Sequence, residues 1–252
     1  MSLPVEFIAA GWDVPSHVHG LVTLKTGGYS KGVYQGLNLA THVGDDEQLV
    51  LKNRELLREQ LALPRQPHWL NQTHSTEVIH LPLKTTVDAD GAWTSQANIV
   101  CAVMTADCLP LFFYHPIEHK VAVIHAGWRG LANGIIEKAI QQITDNPEKL
   151  KVWLGPAIGP DVFEVGEEVK DIFCAKDPVA NDCFKLSLKE SASNKKHYFA
   201  DIYRLARQRL YNSGVTEISG GNFCTMTDKE RFFSYRRDGE TGRMASLIWI
   251  SK

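Results

Sequence analysis

Two short strings carry the residue types that do chemistry: TADC at Thr105–Cys108 and IHAGWRG at Ile124–Gly130. Each puts a metal-ligating side chain at the end of an apolar run. Ile99–Met104 reads as a buried strand that empties into Thr105, Ala106, Asp107 and Cys108. Val121–Ile124 reads as a second one, emptying into His125 and a glycine-rich turn. A third donor, His74, lies upstream in the polar string NQTHSTEV. Two imidazoles and one thiolate are three protein ligands, the number a catalytic zinc uses while its fourth position stays open. Segments beyond strand ends are where a rigid scaffold holds such groups. Each residue also has an ordinary reading, the histidines as structural hydrogen-bonding groups and the cysteine as a small buried hydrophobe. The standard metal strings HExxH and CxxC are absent.

Other side chains offer supporting chemistry. Asp107, beside Cys108, can act as a general base, orient a ligand, or cap local backbone N–H groups. Arg129 can clamp a phosphate or carboxylate with its two-pronged guanidinium, or pair with an acid at the start of the next helix. The string KTGGYSKG can cradle an anion with backbone N–H groups and Lys25, or serve only as a flexible turn. Asn38 in GLNL and Gln72 in NQTH are polar groups inside structured stretches, candidates for substrate contact or for local backbone satisfaction. Arg236, Arg237 and Arg243 read as solvated charges of a terminal hairpin. His17 and His19 form a single HxH string; multicopper oxidases need several, so these two read as surface histidines.

The positioning elements are mixed. Gly20–Leu24 is a short apolar segment. A helix is predicted from Asp45-Asp46 to about Ala62, with one of the two aspartates as its N-cap. Trp69-Leu70 and Val78–Leu81 are predicted as strands flanking the His74 turn, and Leu111–Tyr114 as a strand between the two ligand segments. Leu131–Ile143 has helical periodicity, Val152–Leu154 reads as a strand ending in the GPAIGP loop, and Glu167–Ala175 and Asp201–Ser213 read as helices. The chain is expected to close in a hairpin, Phe232–Arg236 with Met244–Ile250. Strands and helices do not alternate regularly, so the expected fold is α+β: a layered α/β sandwich with mixed sheets, with residues 1–252 forming a single domain.

Composition narrows the function class. The 252 residues are 44% hydrophobic and 22% charged, with a formal charge of −2, ordinary for a globular protein and unlike a general nucleic-acid binder. The basic pairs Lys195-Lys196 and Arg236-Arg237 are too short to form a basic stripe. Five cysteines with no CxxC pair suggest reduced thiols. No apolar run approaches the ~20 residues of a membrane span, and the first residues lack a signal-peptide pattern. The expectation is a soluble, cytoplasmic protein without nucleic-acid or membrane partners.

The strings VTLKTGGYSKG, GLNLATHVGDD, NQTH, CAVMTADCLPL, VIHAGWRGL, WLGPAIGP, FEVG and FFSYRRDGETGRMAS, in this order from Gly20 to Ile250, resemble the YfiH family. Members of that family are called laccase-domain or polyphenol-oxidase-like proteins, purine nucleoside phosphorylases, or peptidoglycan editing factors. The resemblance implies a catalytic zinc on His74, Cys108 and His125, with copper disfavoured. It implies phosphate-dependent cleavage of adenosine, inosine, guanosine or 5′-methylthioadenosine, and deamination of adenosine. An open-site zinc brings bound water near neutrality, which attack at C6 of adenine requires, with Asp107 as a candidate proton carrier and Arg129 and Lys25 as candidates for phosphate. The alternative it implies is a hydrolase of mis-loaded cell-wall muropeptide precursors, in which Cys108 would be the nucleophile and His125 its base. Two departures stand out: Lys25 occupies a position where the family more often has arginine, losing the bidentate fork, and NQTH replaces the commoner QVH, leaving Gln72 and His74 intact.

Overall fold

The computed structural model describes residues 4–188 and 196–252. In chain order it forms β1 (Phe7–Ala9), β2 (Val18–Thr23), α1 (Glu47–Gln60), β3 (Val78–His80), β4 (Gly91–Thr94) and β5 (Cys101–Thr105). There follow β6 (Leu109–His115), β7 (Lys120–Ala126), α2 (Trp128–Asn133), α3 (Ile135–Ile143) and β8 (Lys151–Leu154). Then come β9 (Glu164–Gly166), α4 (Glu167–Lys176), β10 (Phe184–Leu186) and β11 (His197–Ala200). The chain closes with α5 (Ile202–Asn212), β12 (Glu217–Gly220), α6 (Tyr235–Asp238) and β13 (Met244–Ile250).

Side-chain alternation builds the layers. In β7, Val121 and Val123 enter one hydrophobic cluster while Ala122, Ile124 and Ala126 enter another; in β6, Phe112 and Tyr114 separate likewise from Leu111 and Phe113. A strand buried on both faces reads as continuously apolar for this reason. These strands belong to a mixed six-stranded sheet of order β12-β8-β6-β7-β4-β3, in which the two outer pairs are parallel and the inner pairs antiparallel. One face packs on an antiparallel sheet of order β1-β2-β13-β5, through Val22, Cys101, Val103, Phe112, Val123 and Ile248. The other face is covered by α2, α3 and α5 and by a small sheet, β10-β11-β9. Beyond the four-stranded sheet, Leu56 and Leu57 of α1 pack on Ala102, Met104 and Leu247. The result is the expected α+β sandwich of mixed sheets. Among the described residues, no helix is long and apolar enough to cross a membrane.

Local signals read correctly where capping or alternation is strong. Asp46 caps α1, its side chain accepting the Gln48 N–H, and Asp201 caps α5 through the Arg204 N–H. Three expectations are corrected. The helix over Leu131–Ile143 begins earlier, at Trp128, and breaks at Gly134, whose left-handed φ of 99° interrupts the hydrogen-bond ladder. Trp69-Leu70 is not a strand; the segment makes only isolated bridges, His68 with Cys101 and Asn71 with Asp88. The terminal hairpin does not form. Ser234 caps the short helix α6 by accepting the Arg237 N–H, Phe232 and Phe233 are buried in the core between the sheets, and β13 pairs instead with β2 and β5. Of the basic pair at 195–196, Lys195 lies outside the described residues and Lys196 is solvent-exposed.

The packing has one consequence for chemistry. The chain leaves the four-stranded sheet at Thr105 and enters the six-stranded sheet at Leu109, so Ala106–Cys108 cross between the sheets at the end of the sandwich. His125 continues the face of Val121 and Val123, and so points between the sheets at that same end.

Candidate active site

The crossing brings Cys108 to the mouth of the sandwich, beside the end of β7 and the loop that precedes β3. His74, Cys108 and His125 converge there, their ligand atoms all within 4.8 Å of one another. His74 Nε2 lies 3.8 Å from Cys108 Sγ, and the two imidazoles meet edge to face at 4.8 Å between centroids. Tetrahedral zinc, with bonds of ~2.0–2.3 Å, separates its ligand atoms by roughly 3.3–3.7 Å, close to the 3.8 Å between His74 and Cys108. Gly127 makes room for the trio. A Cβ there would lie 2.7 Å from His74 Cδ2 and 3.1 Å from Cys108 Sγ. The donor set and the space it keeps open fit a single metal ion. This predicts a specific result for Gly127→Ala, since the φ of −63° at this position suits alanine and only the ligands are disturbed. Metal affinity, read by chelator competition, should fall roughly tenfold to hundredfold, as for the loss of a supporting contact, while the metal-free protein melts near the wild-type temperature. Unchanged affinity would show that the ligands can give way.

Asp90 supports the trio and is not legible as a site residue in the sequence. The register of β4 on β7 pairs Gly91 with Ile124, which sets Asp90 opposite His125. The His125 N–H donates to the Asp90 carbonyl at 2.6 Å, and His125 Nδ1 lies 2.7 Å from Asp90 Oδ1. The same oxygen accepts the His74 N–H at 3.1 Å. The other oxygen accepts the N–H groups of Thr73 (3.2 Å) and Ser75 (2.6 Å) and the Ser75 hydroxyl (2.7 Å). Burial would raise the Asp90 carboxyl, but these donors hold it below the usual carboxylate range. Burial would likewise raise the Cys108 thiol; the charge and hydrogen bond of His125, with His74, outweigh it and hold the thiol well below its ordinary range. His125 moves the opposite way. Burial opposes its charge, and Cys108 and Asp90 together overcome that.

A cavity of about 550 Å³ opens over the trio, within the range of small-molecule sites. Trp128, Phe163 and Tyr235 line it, as do Arg129, Arg236 and Arg243. Arg129, in the first turn of α2, lies 4.3 Å over the Trp128 ring, and among the described residues no carboxylate forms an ion pair with it. Arg243 is half-buried and donates to the carbonyls of Thr241 (2.7 Å) and Gly242 (3.0 Å). Arg236 donates to the Glu164 carbonyl, and Arg237 to the carbonyls of Thr225, Met226 and Phe232. Arg236 and Arg243 thus face the cavity and Arg237 braces backbone carbonyls away from it; Arg236 is solvent-exposed as expected, Arg237 and Arg243 are half-buried, and none belongs to the hairpin that was expected. Their string carried a signal only in its density of arginine and glycine.

The other expected site residues divide. Gln72 reaches the cavity, but its amide is committed to both backbone groups of Met104, at 2.7 and 2.8 Å. Asp107 lines the cavity with a φ of 91°, a conformation that costs ~1–3 kcal/mol and must be held in place. Its carboxylate accepts from the Thr225 hydroxyl (2.6 Å), the Ser234 hydroxyl (3.0 Å) and the Arg236 N–H (2.7 Å). Lys25 and Asn38 are not among the lining residues. The turn after Lys25 has its amides committed, Tyr29 to the Asn53 side chain of α1 and Ser30 to Gly36. Asn38 is fully buried, bonded to Ala40, Asp45 and Arg243. His19 stacks on Trp249 at 4.8 Å, a structural contact.

Comparison with known proteins agrees over nearly the whole chain. Residues 19–251 match the family model described as multi-copper polyphenol oxidoreductase laccase. A Haemophilus influenzae protein named purine nucleoside phosphorylase is 46% identical, with 98% of this chain and 100% of that protein covered. The Escherichia coli protein named purine nucleoside phosphorylase YfiH is 45% identical, covering 97% and 99%. Among solved structures, a DUF152 protein of Neisseria meningitidis superposes with a TM-score of 0.91 at 45% identity, covering 98% and 99%. The sheets, the sandwich-end trio and these matches together establish that the chain belongs to the YfiH (DUF152) family of laccase-like domains.

Proposed function

We propose that this protein is a zinc-dependent purine nucleoside phosphorylase that also deaminates adenosine, a small-molecule enzyme of the cytoplasm built as one domain. The observation that carries the reading is the cavity itself. It sets the His74–Cys108–His125 trio, three guanidinium groups and three aromatic rings around one volume fit for a nucleoside. The names of the relatives support phosphorolysis.

The chain's own residues divide the work. Trp128, Phe163 and Tyr235 offer ring faces and edges to a purine. Arg129, with no acid partner among the described residues, and Arg243, held by two carbonyls at the cavity wall, bind phosphate by charge-assisted hydrogen bonds. Asp107 braces the 225 and 234–236 segments against the site, and its occupied lone pairs suit it to positioning rather than to carrying a proton. A bound zinc would supply Lewis acidity and an activated water. The single His/Cys trio found among the described residues suits one ion and not a multicopper cluster.

A second reading is favoured by one observation. Cys108, His125 and Asp90 form a chain of thiol, imidazole and carboxylate with the thiol shifted toward thiolate, the arrangement of a cysteine hydrolase. Such an enzyme could open muropeptide precursors. Metal analysis of the purified protein, followed by a nucleoside panel with and without phosphate, separates the two. About one zinc per chain, with ribose 1-phosphate formed from adenosine, is the expected result. A metal-free protein that ignores nucleosides and cleaves a muropeptide precursor would replace it with the second reading.

A further inference from the structure

We infer that Asp90 is the positioning residue that presets both histidines of the trio, keeping the His125 proton on Nδ1 so that Nε2 faces the metal position, and fixing the backbone of His74. The geometry leaves little freedom. Asp90 is wholly buried, and an ionised carboxylate can only accept. Its Oδ1 meets His125 Nδ1 at 2.7 Å, so that nitrogen must be the donor, and the remaining nitrogen is the one available to a metal. The same oxygen takes the His74 N–H at 3.1 Å, at a residue whose left-handed φ of 59° must be held in place by its surroundings. The second oxygen cannot swing away, because the N–H groups of Thr73 and Ser75 and the Ser75 hydroxyl converge on it. One carboxylate thus joins two ligands that lie in different elements, one in a loop and one on β7, before any metal arrives. The gain is preorganisation: the ligands need not be ordered when the ion binds.

The substitution Asp90→Asn tests this with little change in shape. Asparagine keeps one acceptor oxygen and must aim its NH2 at donors on one side or the other. The side of Thr73 and Ser75 holds two backbone N–H groups, which cannot move; the side of His125 and His74 holds one, beside an imidazole that can exchange its proton. The amide therefore turns its NH2 toward His125, which must then accept at Nδ1 and carry its proton on Nε2, the wrong nitrogen for a metal. The same exchange of tautomer follows when a triad aspartate becomes asparagine in serine proteases.

The readout is zinc affinity of the full-length protein by chelator competition, with the absorption of the cobalt(II) form as a report on ligation. Asp90→Asn should weaken zinc binding roughly tenfold to hundredfold and remove the imidazole contribution of His125 from the cobalt spectrum, while the Cys108 charge-transfer band persists. Ser75→Ala, which loosens the carboxylate but leaves its bond to His125, should weaken binding by less than Asp90→Asn does. Equal affinity and an unchanged cobalt spectrum for Asp90→Asn would overturn the inference. Because a buried substitution can unfold a protein, nitrogen NMR of the histidine-labelled wild type provides a second decision. In the zinc-loaded protein the His125 proton should sit on Nδ1 and exchange slowly; a proton on Nε2, or ligation through Nδ1, would refute the assignment. The affinity measurement rests on the metal reading. If the wild type takes up no zinc, that reading fails by itself, and the nitrogen signals of the metal-free protein, followed to alkaline pH until the ring loses a proton, still decide the role of Asp90: Nδ1 should keep its proton and Nε2 should lose it, and the reverse would refute the assignment.

Discussion

Cys108→Ala is expected to reduce bound zinc from about one ion per chain to a trace and to lower phosphorolysis about a thousandfold. A Lewis acid contributes several kcal/mol to such a reaction, and each ~1.4 kcal/mol is a factor of ten. The loss should not reflect unfolding. Cys108 lies in the Ala106–Cys108 crossing, outside the hydrophobic clusters, and although its removal takes one partner from the buried His125, that ring keeps its bond to Asp90. His125→Ala should lose the metal equally but also destabilise the fold by ~1–3 kcal/mol, because it leaves the buried Asp90 carboxylate one donor short. Comparing the two variants separates metal loss from instability. Metal content by mass spectrometry, melting temperature and nucleoside turnover are the measurements. Full activity in metal-free Cys108→Ala would exclude both the zinc role and a nucleophilic role for this thiol. A metal-free wild type that cleaves a muropeptide precursor, while Cys108→Ala does not, would instead favour the cysteine-hydrolase reading.

The second large effect is expected at Arg129. Its guanidinium stacks on Trp128, lines the cavity and has no acid partner among the described residues, so its removal breaks no ion pair and leaves the fold intact. Arg129→Ala should reduce phosphate use by about tenfold to hundredfold, the ~1.5–3 kcal/mol typical of a charge-assisted contact. The effect should appear chiefly as a raised KM for phosphate. Deamination of adenosine should change little, since attack at C6 makes no demand on a phosphate clamp. Arg243→Ala should lose phosphate use as well, with some stability, because its half-buried side chain also ties Thr241 and Gly242. Equal loss of phosphorolysis and deamination in Arg129→Ala would assign this residue a structural part.

What the sequence by itself determined was local. The buried strands at the apolar runs Val121–Ile124 and Ile99–Met104, the aspartate caps of α1 and α5, and the placing of Cys108 just past the second run are properties of near neighbours and appear in the structure as expected, whereas His125 lies inside β7 and not beyond it. The family strings added the grouping of these two with His74, which residue types alone left open. Only the tertiary structure decided the surroundings of that trio. Asp90 is 16 positions from His74 and 35 from His125; it meets His125 because β4 pairs with β7 in one register, and His74 because β3 pairs with β4. Arg243 reaches the cavity because β13 joins the four-stranded sheet instead of folding back as a hairpin; Asn38 is drawn away because its amide is used on Ala40, Asp45 and the Arg243 backbone, and Lys25 lies elsewhere because its backbone is tied to Leu37 and Arg231. Strand register and the crossing between sheets are set by the simultaneous burial of many side chains, and no short spacing along the chain encodes them.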